Sequence, residues 1–280
     1  MKVTESAAQR RCALFYAESA AGIYDASIDL VVPQYRTLHE TTFRLLHDHV
    51  QASWSDPAAF DGWVLDIGSG TGEEAVRLLT AFPQARVVAV DLCAPMHDVL
   101  RKKARAATCL DRCTTVLGDI VGKECAPAAL RKVLPLPDRK DGYHAAISAF
   151  ALHHLEHGEK RRAYQRVYDV LRPGGLLLNA DLFSFQSKDL STRALAFELS
   201  YIEEYLGGEN VESLLSRRVR RKLTTGWLEH YRVYNRLEPI EDAPSGKRPP
   251  GQARMLLDAG FREVAVPYRY WQTGILMAIK

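Results

Sequence analysis

Between residues 61 and 183, short apolar runs alternate with longer segments in which apolar residues recur at helical spacing. This alternation is typical of consecutive βαβ units, which build a mostly parallel sheet covered by helices on both faces. Gly, Pro or Asp stands at each break, where strands and helices are expected to end. The sequence therefore predicts a doubly wound α/β core, with strands at Trp63–Ile67, Arg86–Asp91, Thr114–Leu117, Tyr143–Ser148 and Gly175–Leu182 and helices at Glu73–Phe82, Pro95–Ala106 and Glu159–Leu171.

The segments on either side of this alternation complete the expected organisation. Phe261–Pro267 and Tyr270–Ile279 are two further strand candidates with almost no turn between them, which predicts one antiparallel strand on the sheet. Residues 5–17 and 35–52 have helical spacing, and a helical insertion with a Pro- and Gly-rich end follows the fifth strand. We expect an N-terminal helical arm (1–60), a core (61–185), a helical lid insertion (186–251) and the end of the core (252–280).

Composition and charge exclude several classes of protein. Hydrophobic residues make up 47% of the chain and charged residues 25%, which excludes a disordered or collagen-like chain. The formal net charge of +3 is too small to require nucleic acid or a membrane surface as a partner. No apolar run approaches the roughly 18 residues of a spanning helix, and the N-terminus carries charges such as Arg10 and Arg11. Five cysteines without a CxxC pair indicate neither disulfides nor a metal site, so we expect a cytoplasmic protein.

The stretch VLDIGSGTGE (Val64–Glu73) runs from a predicted buried strand through a glycine-rich turn into a helix. Glycines suit such a turn because the chain bends sharply there and a ligand can approach the backbone. The dinucleotide fingerprint GxGxxG would need a third glycine at position 73, where Glu73 would instead meet a pyrophosphate. The motif therefore favours a ligand with an adenosine but without phosphates over NAD or FAD.

Two acidic residues follow the next strands. Asp91 ends the second strand, 21 residues after Gly70, where a carboxylate can accept hydrogen bonds from both ribose hydroxyls of an adenosine. After the third strand, Asp119 can face an adenine amino group, with Ile120 against the ring. The alternative for either acid is a capping or turn role without a ligand.

Five ordered motifs occur at consistent spacings: VLDIGSGTG (64–72), VVAVDLCAPM (87–96), GDI (118–120), AAISAFALHHL (145–155) and LRPGGLLLNADLF (171–183). In these motifs the chain resembles the class I S-adenosylmethionine-dependent methyltransferases. The resemblance covers roughly residues 61–185 and, through AGFREV (259–264), the terminal hairpin. A longer connection between the third and fourth strands (121–141) departs from it, and we have no role for this segment.

The resemblance implies a sheet order of 3-2-1-4-5-7-6, with S-adenosylmethionine bound across the C-terminal strand ends. It implies that the glycine-rich motif and the following strand ends bind this cofactor. Gly68 and Gly70 would border its methionine part, Asp91 would bind the ribose, and Asp119 the adenine amino group. The full implied set is Asp66, Gly68, Ser69, Gly70, Asp91, Leu92, Met96, Asp119, Ile120, Ser148 and Ala149.

Methyl transfer from a sulfonium is an in-line displacement, which needs positioning rather than a metal or a covalent intermediate. His153 and His154 follow the fourth strand near the implied methyl position, so one of them is a candidate base or substrate ligand. Asp181, at the end of the fifth strand, is a candidate substrate contact. Tyr24 and Tyr35 lie in a segment that resembles the arm over the cofactor in small-molecule members of the family. Packing or capping is the alternative for each of these residues.

The insertion carries two aromatic stripes at helical spacing, which are Phe197, Tyr201 and Tyr205 in the first and Trp227, Tyr231 and Tyr234 in the second. Each stripe can either pack in the lid's own core or form an aromatic wall for a ring-containing acceptor. His230 is a weaker candidate base beside the second stripe. The basic run Arg217–Lys222 is expected to be a solvated helix face, because no aromatic residue interrupts it as in a nucleic-acid site.

The sequence thus predicts a methyltransferase that acts on an oxygen, nitrogen or carbon atom of a small hydrophobic or aromatic molecule. The arm and the lid would exclude water and select this acceptor. The alternatives are an RNA or protein methyltransferase, and a protein of this fold that binds the cofactor without transferring its methyl group. The acceptor's identity and the oligomeric state are left open.

Overall fold

The structure is a computed structural model that describes residues 24–134, 141–207, 217–233, 235–242 and 250–280. The helices are α1 (Tyr24–Val31), α2 (Tyr35–Gln51), α3 (Glu73–Ala81), α4 (Ala94–Ala106), α5 (Pro127–Val133), α6 (His157–Val170), α7 (Lys188–Gly207), α8 (Arg217–Val233) and α9 (Gln252–Ala259). The strands are β1 (Trp63–Ile67), β2 (Arg86–Asp91), β3 (Cys113–Leu117), β4 (Tyr143–Ala149), β5 (Leu171–Leu182), β6 (Glu263–Tyr270) and β7 (Thr273–Ile279).

The seven strands form one sheet in the order β3-β2-β1-β4-β5-β7-β6. Strands β1 to β5 pair in parallel, and β7 runs antiparallel to both β5 and β6. This confirms the predicted fold class and strand order. The chain leaves β1 towards β2 and β3 and then returns to β4 on the other side. A crevice is therefore expected where β1 and β4 end, at the point where the strand order reverses.

Helices cover both faces of the sheet, and alternate residues of β1 show how. Val64 packs in one apolar cluster with Leu78 and Leu79 of α3. Leu65 points the other way, into a second cluster with Val167 of α6. All five residues of β1 are buried, as expected for a parallel strand between two helical layers. This packing fixes the position of the glycine-rich turn that follows β1.

The terminal hairpin differs slightly from the sequence prediction. The first strand was expected to end at Pro267 and the second to begin at Tyr270, but β6 continues to Tyr270 and β7 starts at Thr273. Trp271 and Gln272 form the turn. Pro267 lacks an N–H group, and it is tolerated because β6 is the edge strand and its register shifts beside the proline.

Strand β5 begins at Leu171 rather than at the predicted Gly175. Leu171 pairs with Tyr143 of β4 before the register shifts. The Pro173-Gly174 pair thus falls inside the strand at an irregular position, which explains why the sequence pattern placed the start later.

Three helices pack together beyond the carboxyl end of β5. Ile28 of α1, Ile202 of α7, and Trp227 and Tyr231 of α8 share one apolar cluster with Leu182, the last residue of β5. The aromatic stripe that begins at Phe197 is less buried than the one on α8, because the Phe197 side chain is 40% exposed.

None of the described helices combines the length and apolar character needed to cross a bilayer.

Several predicted features lie outside the described residues. These are the helix expected at 5–17, the side chains of Tyr205 and Tyr234, and the side chains of the basic run Arg217–Lys222.

Candidate active site

The turn between β1 and α3 is held against β2. The N–H groups of Gly68 and Ser69 both donate to the carbonyl oxygen of Val90, at 2.8 and 3.0 Å. Gly68, Gly70 and Gly72 all have positive φ, at 67°, 50° and 84°. A Cβ on Gly68 would lie 2.2 Å from the Cβ of Ala151, so a glycine is required there for space as well as for conformation.

Asp91 closes this turn from the end of β2. One carboxylate oxygen accepts from the Gly70 N–H group at 2.8 Å, and the other accepts from the Cys93 N–H group at 2.7 Å. Burial raises the pKa of Asp91, while these backbone donors act in the opposite direction. The Leu92 N–H group also donates to this carboxylate. A carboxylate has about four acceptor sites, so acceptor capacity is left for a ligand.

A cleft opens at the carboxyl ends of β1, β2 and β4 and contains about 840 Å³ of space free of protein atoms, its mouth included. Most of the residues predicted from the sequence lie around it. They are Tyr24, Gly68, Gly70, Asp91, Leu92, Met96, Asp119, Ile120, Ala149 and His154. Asp119 is oriented within its turn, since its carboxylate accepts from the Val121 N–H group at 2.8 Å.

Three predicted cofactor residues lie outside the lining of the cleft. Asp66 is buried within β1, and burial, followed by the charges of Glu74 and Asp91, raises its pKa. The Ser69 hydroxyl lies 3.3 Å from Nε2 of His97. Ser148 is fully buried in β4, where it pairs with Ile67 of β1. The structure therefore places these side chains in the support of the turn and the sheet.

The segment after β4 contributes cleft residues that sequence reasoning missed. Phe150, Ala151, Leu152 and Leu155 all line the cleft. Phe150 has a φ of 51°, and its N–H group donates to the Ala180 carbonyl oxygen at 2.9 Å. A bulky residue at positive φ is uncommon. The segment has no periodic pattern of apolar residues. The one sequence signal that could have identified these residues is that they follow β4 within the motif AFALHHL.

His153 and Asp181 form a buried pair. Nδ1 of His153 lies 2.5 Å from Oδ1 of Asp181, and the His153 backbone N–H group donates to Oδ2 at 2.9 Å. Oδ1 also accepts from the Leu182 N–H group at 2.9 Å. Asp181 thus orients His153, and the Asp181 side chain is not part of the cleft wall.

A smaller cavity, with about 270 Å³ of free space, adjoins the cleft. Tyr24 and Phe150 line both spaces. The other walls of the small cavity are mostly apolar, and they include Ile28, Val32, His153, Leu182, Trp227, His230, Tyr231 and Asn235. His154 therefore faces the cleft, whereas His153 and His230 face the cavity behind it.

Tyr35 is not in either wall. Its ring packs on His39, with centroids 4.2 Å apart, and stacks on Phe150 at 5.5 Å. Burial, followed by several negative neighbours led by Tyr24, raises the pKa of its hydroxyl well above the usual range. Nδ1 of His39 in turn lies 2.5 Å from Glu74 of α3. Tyr35 thus supports Phe150 from behind.

The cleft suits a cationic nucleoside without phosphates. Two carboxylates, Asp91 and Asp119, lie in its wall, and no Lys or Arg is among the described residues that line it. Leu92, Met96 and Ile120 offer an apolar surface for a base. A Cβ placed on Gly70 would meet no protein atom closer than 3.9 Å, so the backbone there is open to a ligand. These features fit the charge and shape of S-adenosylmethionine.

A family model described as a methyltransferase domain matches residues 64–175. An uncharacterized methyltransferase of Oceanobacillus iheyensis is 26% identical over 172 residues, which are 61% of this chain and 67% of that protein. A ubiquinone/menaquinone biosynthesis C-methyltransferase of Syntrophotalea carbinolica is 30% identical over 54% of this chain and 57% of its own length.

Among solved structures, an O-methyltransferase family protein from Burkholderia thailandensis has the same fold, with a TM-score of 0.50 at 18% identity. The match covers 86% of this chain and 58% of that one. About a third or more of each of these three proteins therefore lies outside the match. Residues 64–175 contain the glycine-rich turn and all of the described cleft residues except Tyr24. Residues 64–175 match a methyltransferase domain, and this match, the relatives and the shared fold together support a class I S-adenosylmethionine-dependent methyltransferase.

Proposed function

We propose that this protein transfers a methyl group from S-adenosylmethionine to an oxygen, nitrogen or carbon atom of a small hydrophobic or aromatic molecule. The observation that carries the proposal is the small cavity behind the cleft. It shares Tyr24 and Phe150 with the cleft, and Trp227 and Tyr231 add aromatic walls. Its free space, about 270 Å³ with the mouth included, is lined mostly by apolar and aromatic side chains, which favours a compact ring over a folded polymer.

The cofactor is assigned to the cleft. Asp91 would accept from the ribose hydroxyls and Asp119 from the adenine amino group, while Leu92, Met96 and Ile120 would pack on the base. Gly68 and Gly70 would leave room for the methionine part. When bound, S-adenosylmethionine supplies an electrophilic methyl group on a positively charged sulfur. Asp66, Ser69 and Ser148 would act from behind by holding the turn and the end of β4.

The acceptor is assigned to the small cavity, which the N-terminal arm (1–60) and the lid insertion (186–251) would close over the core (61–185 and 252–280). Aromatic faces of Tyr24 and Phe150 favour a positive charge beside them. They would also shield the transfer from water. His153 and His154 provide polar contacts for the nucleophilic atom of the acceptor, and Asp181 keeps His153 in place. The chain would thereby align nucleophile and methyl carbon.

A cytoplasmic location is part of the proposal. Cys93, Cys109, Cys113 and Cys125 are all buried as free thiols. Reduced cysteines are usual in the cytosol, whereas secreted proteins tend to pair theirs.

The test follows radiolabelled methyl from S-adenosylmethionine into three fractions: a panel of small phenols, amines and quinone-like rings, total tRNA, and a protein extract. We expect label and S-adenosylhomocysteine with small acceptors only. Trp227→Ala, which enlarges the cavity, should shift the preference towards bulkier rings. The control Phe197→Ala removes a 40% exposed aromatic residue of the lid and should leave the preference unchanged.

Two outcomes would contradict the proposal. Label in tRNA or protein without label in any small molecule would favour the polymer methyltransferases. Tight cofactor binding without turnover on any fraction would favour a protein that uses the cofactor only as a ligand.

A further inference from the structure

Three histidine side chains meet where the cleft and the small cavity join. One ring nitrogen from each of His153, His154 and His230 lies within 4.8 Å of the other two. His153 and His230 are 4% and 2% exposed, and His154 is half-buried. The rings of His153 and His154 are 3.9 Å apart, and those of His154 and His230 are 5.0 Å apart. Such a cluster away from solvent needs a physical reason, because imidazoles rarely collect in an apolar cavity.

The contact with Asp181 fixes which nitrogen of His153 faces the cluster. A carboxylate only accepts hydrogen bonds, so the proton of a neutral His153 lies on Nδ1, which is 2.5 Å from Asp181. Nε2 then carries the lone pair and is the nitrogen available to a ligand. A carboxylate behind a histidine in this way is the usual outer support of a metal-binding histidine.

From this geometry we infer that His153, His154 and His230 form a binding site for a divalent metal ion of borderline softness, such as Zn²⁺. Three imidazoles with a fourth position open are the ligand set of a catalytic zinc site. In a tetrahedral site with bonds of about 2.0–2.1 Å the ligand nitrogens are about 3.4 Å apart, so side-chain shifts on the order of 1 Å complete it. Sequence reasoning predicted no metal here, because His230 is far from the other two along the chain.

His153, His230 and Asn235 line the small cavity, so an ion held by the three histidines would lie at the edge of this cavity. An acceptor with a hydroxyl or carboxylate oxygen would bind the ion through that oxygen and place its ring among Tyr24, Trp227 and Tyr231. This role in acceptor binding rests on the proposed function, whereas metal binding itself rests on the three histidines.

The test measures metal binding on the full chain after removal of metals with a chelator. Zn²⁺ retention after dialysis is measured by elemental analysis, and Co²⁺ is the spectroscopic probe of ligand geometry. We expect about one Zn²⁺ per chain and a tetrahedral Co²⁺ spectrum for the unaltered protein. His230→Ala should abolish both signals, and Asp181→Asn should weaken Zn²⁺ binding by about 10- to 100-fold.

The matched control is His157→Ala, which removes a partly exposed histidine whose Nδ1 lies 3.0 Å from Glu238. This variant should keep the metal. If His230→Ala fails to fold, His154→Gln, in the turn after β4, replaces it. Less than about a tenth of an equivalent of Zn²⁺ in the unaltered protein, or equal retention by the histidine variants, would overturn the site.

Calorimetry with S-adenosylhomocysteine on the same samples separates the two proposals. Cofactor binding and turnover by the metal-free protein would overturn the metal's role in acceptor binding and leave the proposed function standing. Metal binding without methyl transfer to any acceptor would leave the metal site standing and overturn the proposed function.

Discussion

Gly68 and Gly70 both have positive φ, but the structure needs them for different reasons. A Cβ on Gly68 would collide with Ala151 across the turn, at 2.2 Å. A Cβ on Gly70 would have no neighbour closer than 3.9 Å and would point into open space beside Asp91. The folded chain therefore needs glycine at position 70 only for its conformation, and the remaining reason for a small residue there is the ligand.

Gly70→Ala tests this distinction. An alanine at positive φ should lower the free energy of unfolding by about 1–2 kcal/mol. Its methyl group should also lower the affinity for S-adenosylhomocysteine by more than about tenfold, which is 1.4 kcal/mol. Gly174→Ala is the control, because Gly174 has a φ of 75° with no atom within 4 Å of its added Cβ and lies outside the cleft. Equal ligand affinities of the two variants, measured by calorimetry, would contradict the placement of the cofactor at Gly70.

Glu198 of α7 is a buried acid. Neither carboxylate oxygen has a hydrogen-bond partner among the described residues, and burial raises the pKa of this group to about 8. The nearby Tyr231 hydroxyl has its own pKa raised, first by burial and then by Glu198, Tyr24 and Tyr201. At neutral pH the Glu198 side chain is therefore mostly protonated.

This raised pKa predicts how stability depends on pH. Unfolding returns Glu198 to its ordinary pKa of 4.5, so its contribution is complete below that pH and is lost as the pH rises towards about 8. Over this range the free energy of unfolding should fall by up to about 1.4 kcal/mol per pH unit. The raised pKa values of Asp66 and Asp91 add to this slope. Glu198→Gln should therefore reduce the slope, and Glu203→Gln, at an exposed site on the same helix, should leave it unchanged. Parallel slopes for all three proteins in urea titrations would show that Glu198 is not the source.

At the scale of elements, β1 and β2 have the bounds predicted from the sequence, because both are short apolar runs ended by Gly68 and by Asp91. Two of the largest errors in strand bounds fall where a proline lies within a strand. Pro267 lies within the edge strand β6, and Pro173 lies at an irregular pairing of β5 with β4. A proline at an edge or a bulge does not end a strand, and the sequence does not show which strand will be at the edge.

The candidate site, too, could be predicted only where a local sequence pattern indicates the residue's place in the fold. Asp91, Asp119 and Gly70 follow predicted strands, and sheet topology alone brought their ends to one cleft. Phe150 could not be predicted, because it lies in a non-periodic turn after β4. The contact between His154 and His230 depends on how α8 packs beyond β5, which no local pattern in the chain encodes.

At the scale of the whole molecule, the cleft brings together parts of the chain that are far apart in the sequence. Gly70 and Asp91 come from β1 and β2, Phe150 from the segment after β4, and Tyr24 from α1. Asp25 of α1 also accepts from the Thr71 hydroxyl at 2.6 Å, beside the glycine-rich turn. A ligand in the cleft contacts all of these segments together, so it should stabilise the native state as a unit.

The choice between a phosphate-free nucleoside and a dinucleotide can be tested through this global stabilisation. A ligand at about 100 times its dissociation constant adds about 2.7 kcal/mol to the native state, which corresponds to a Tm rise of about 5–10 °C for a chain of this size. We expect such a rise with S-adenosylhomocysteine and none with NAD at the same concentration. The Glu73 carboxylate stands at the start of α3, where a pyrophosphate would bind, and no basic side chain is among the described residues that line the cleft.

Asp91→Ala links this stabilisation to one contact. Removing the carboxylate should weaken binding by about 1–3 kcal/mol, the usual cost of leaving buried polar partners unpaired. At the same ligand concentration this should reduce the Tm rise by about a third to about nine tenths. Asp98→Ala, at an exposed site on the neighbouring helix α4, should keep the full rise. The unfolding midpoints without ligand separate any general loss of stability from the loss of binding. A Tm rise with NAD that matched the rise with S-adenosylhomocysteine, or an Asp91 variant that kept the full rise, would mean that the cleft holds a different ligand in a different way.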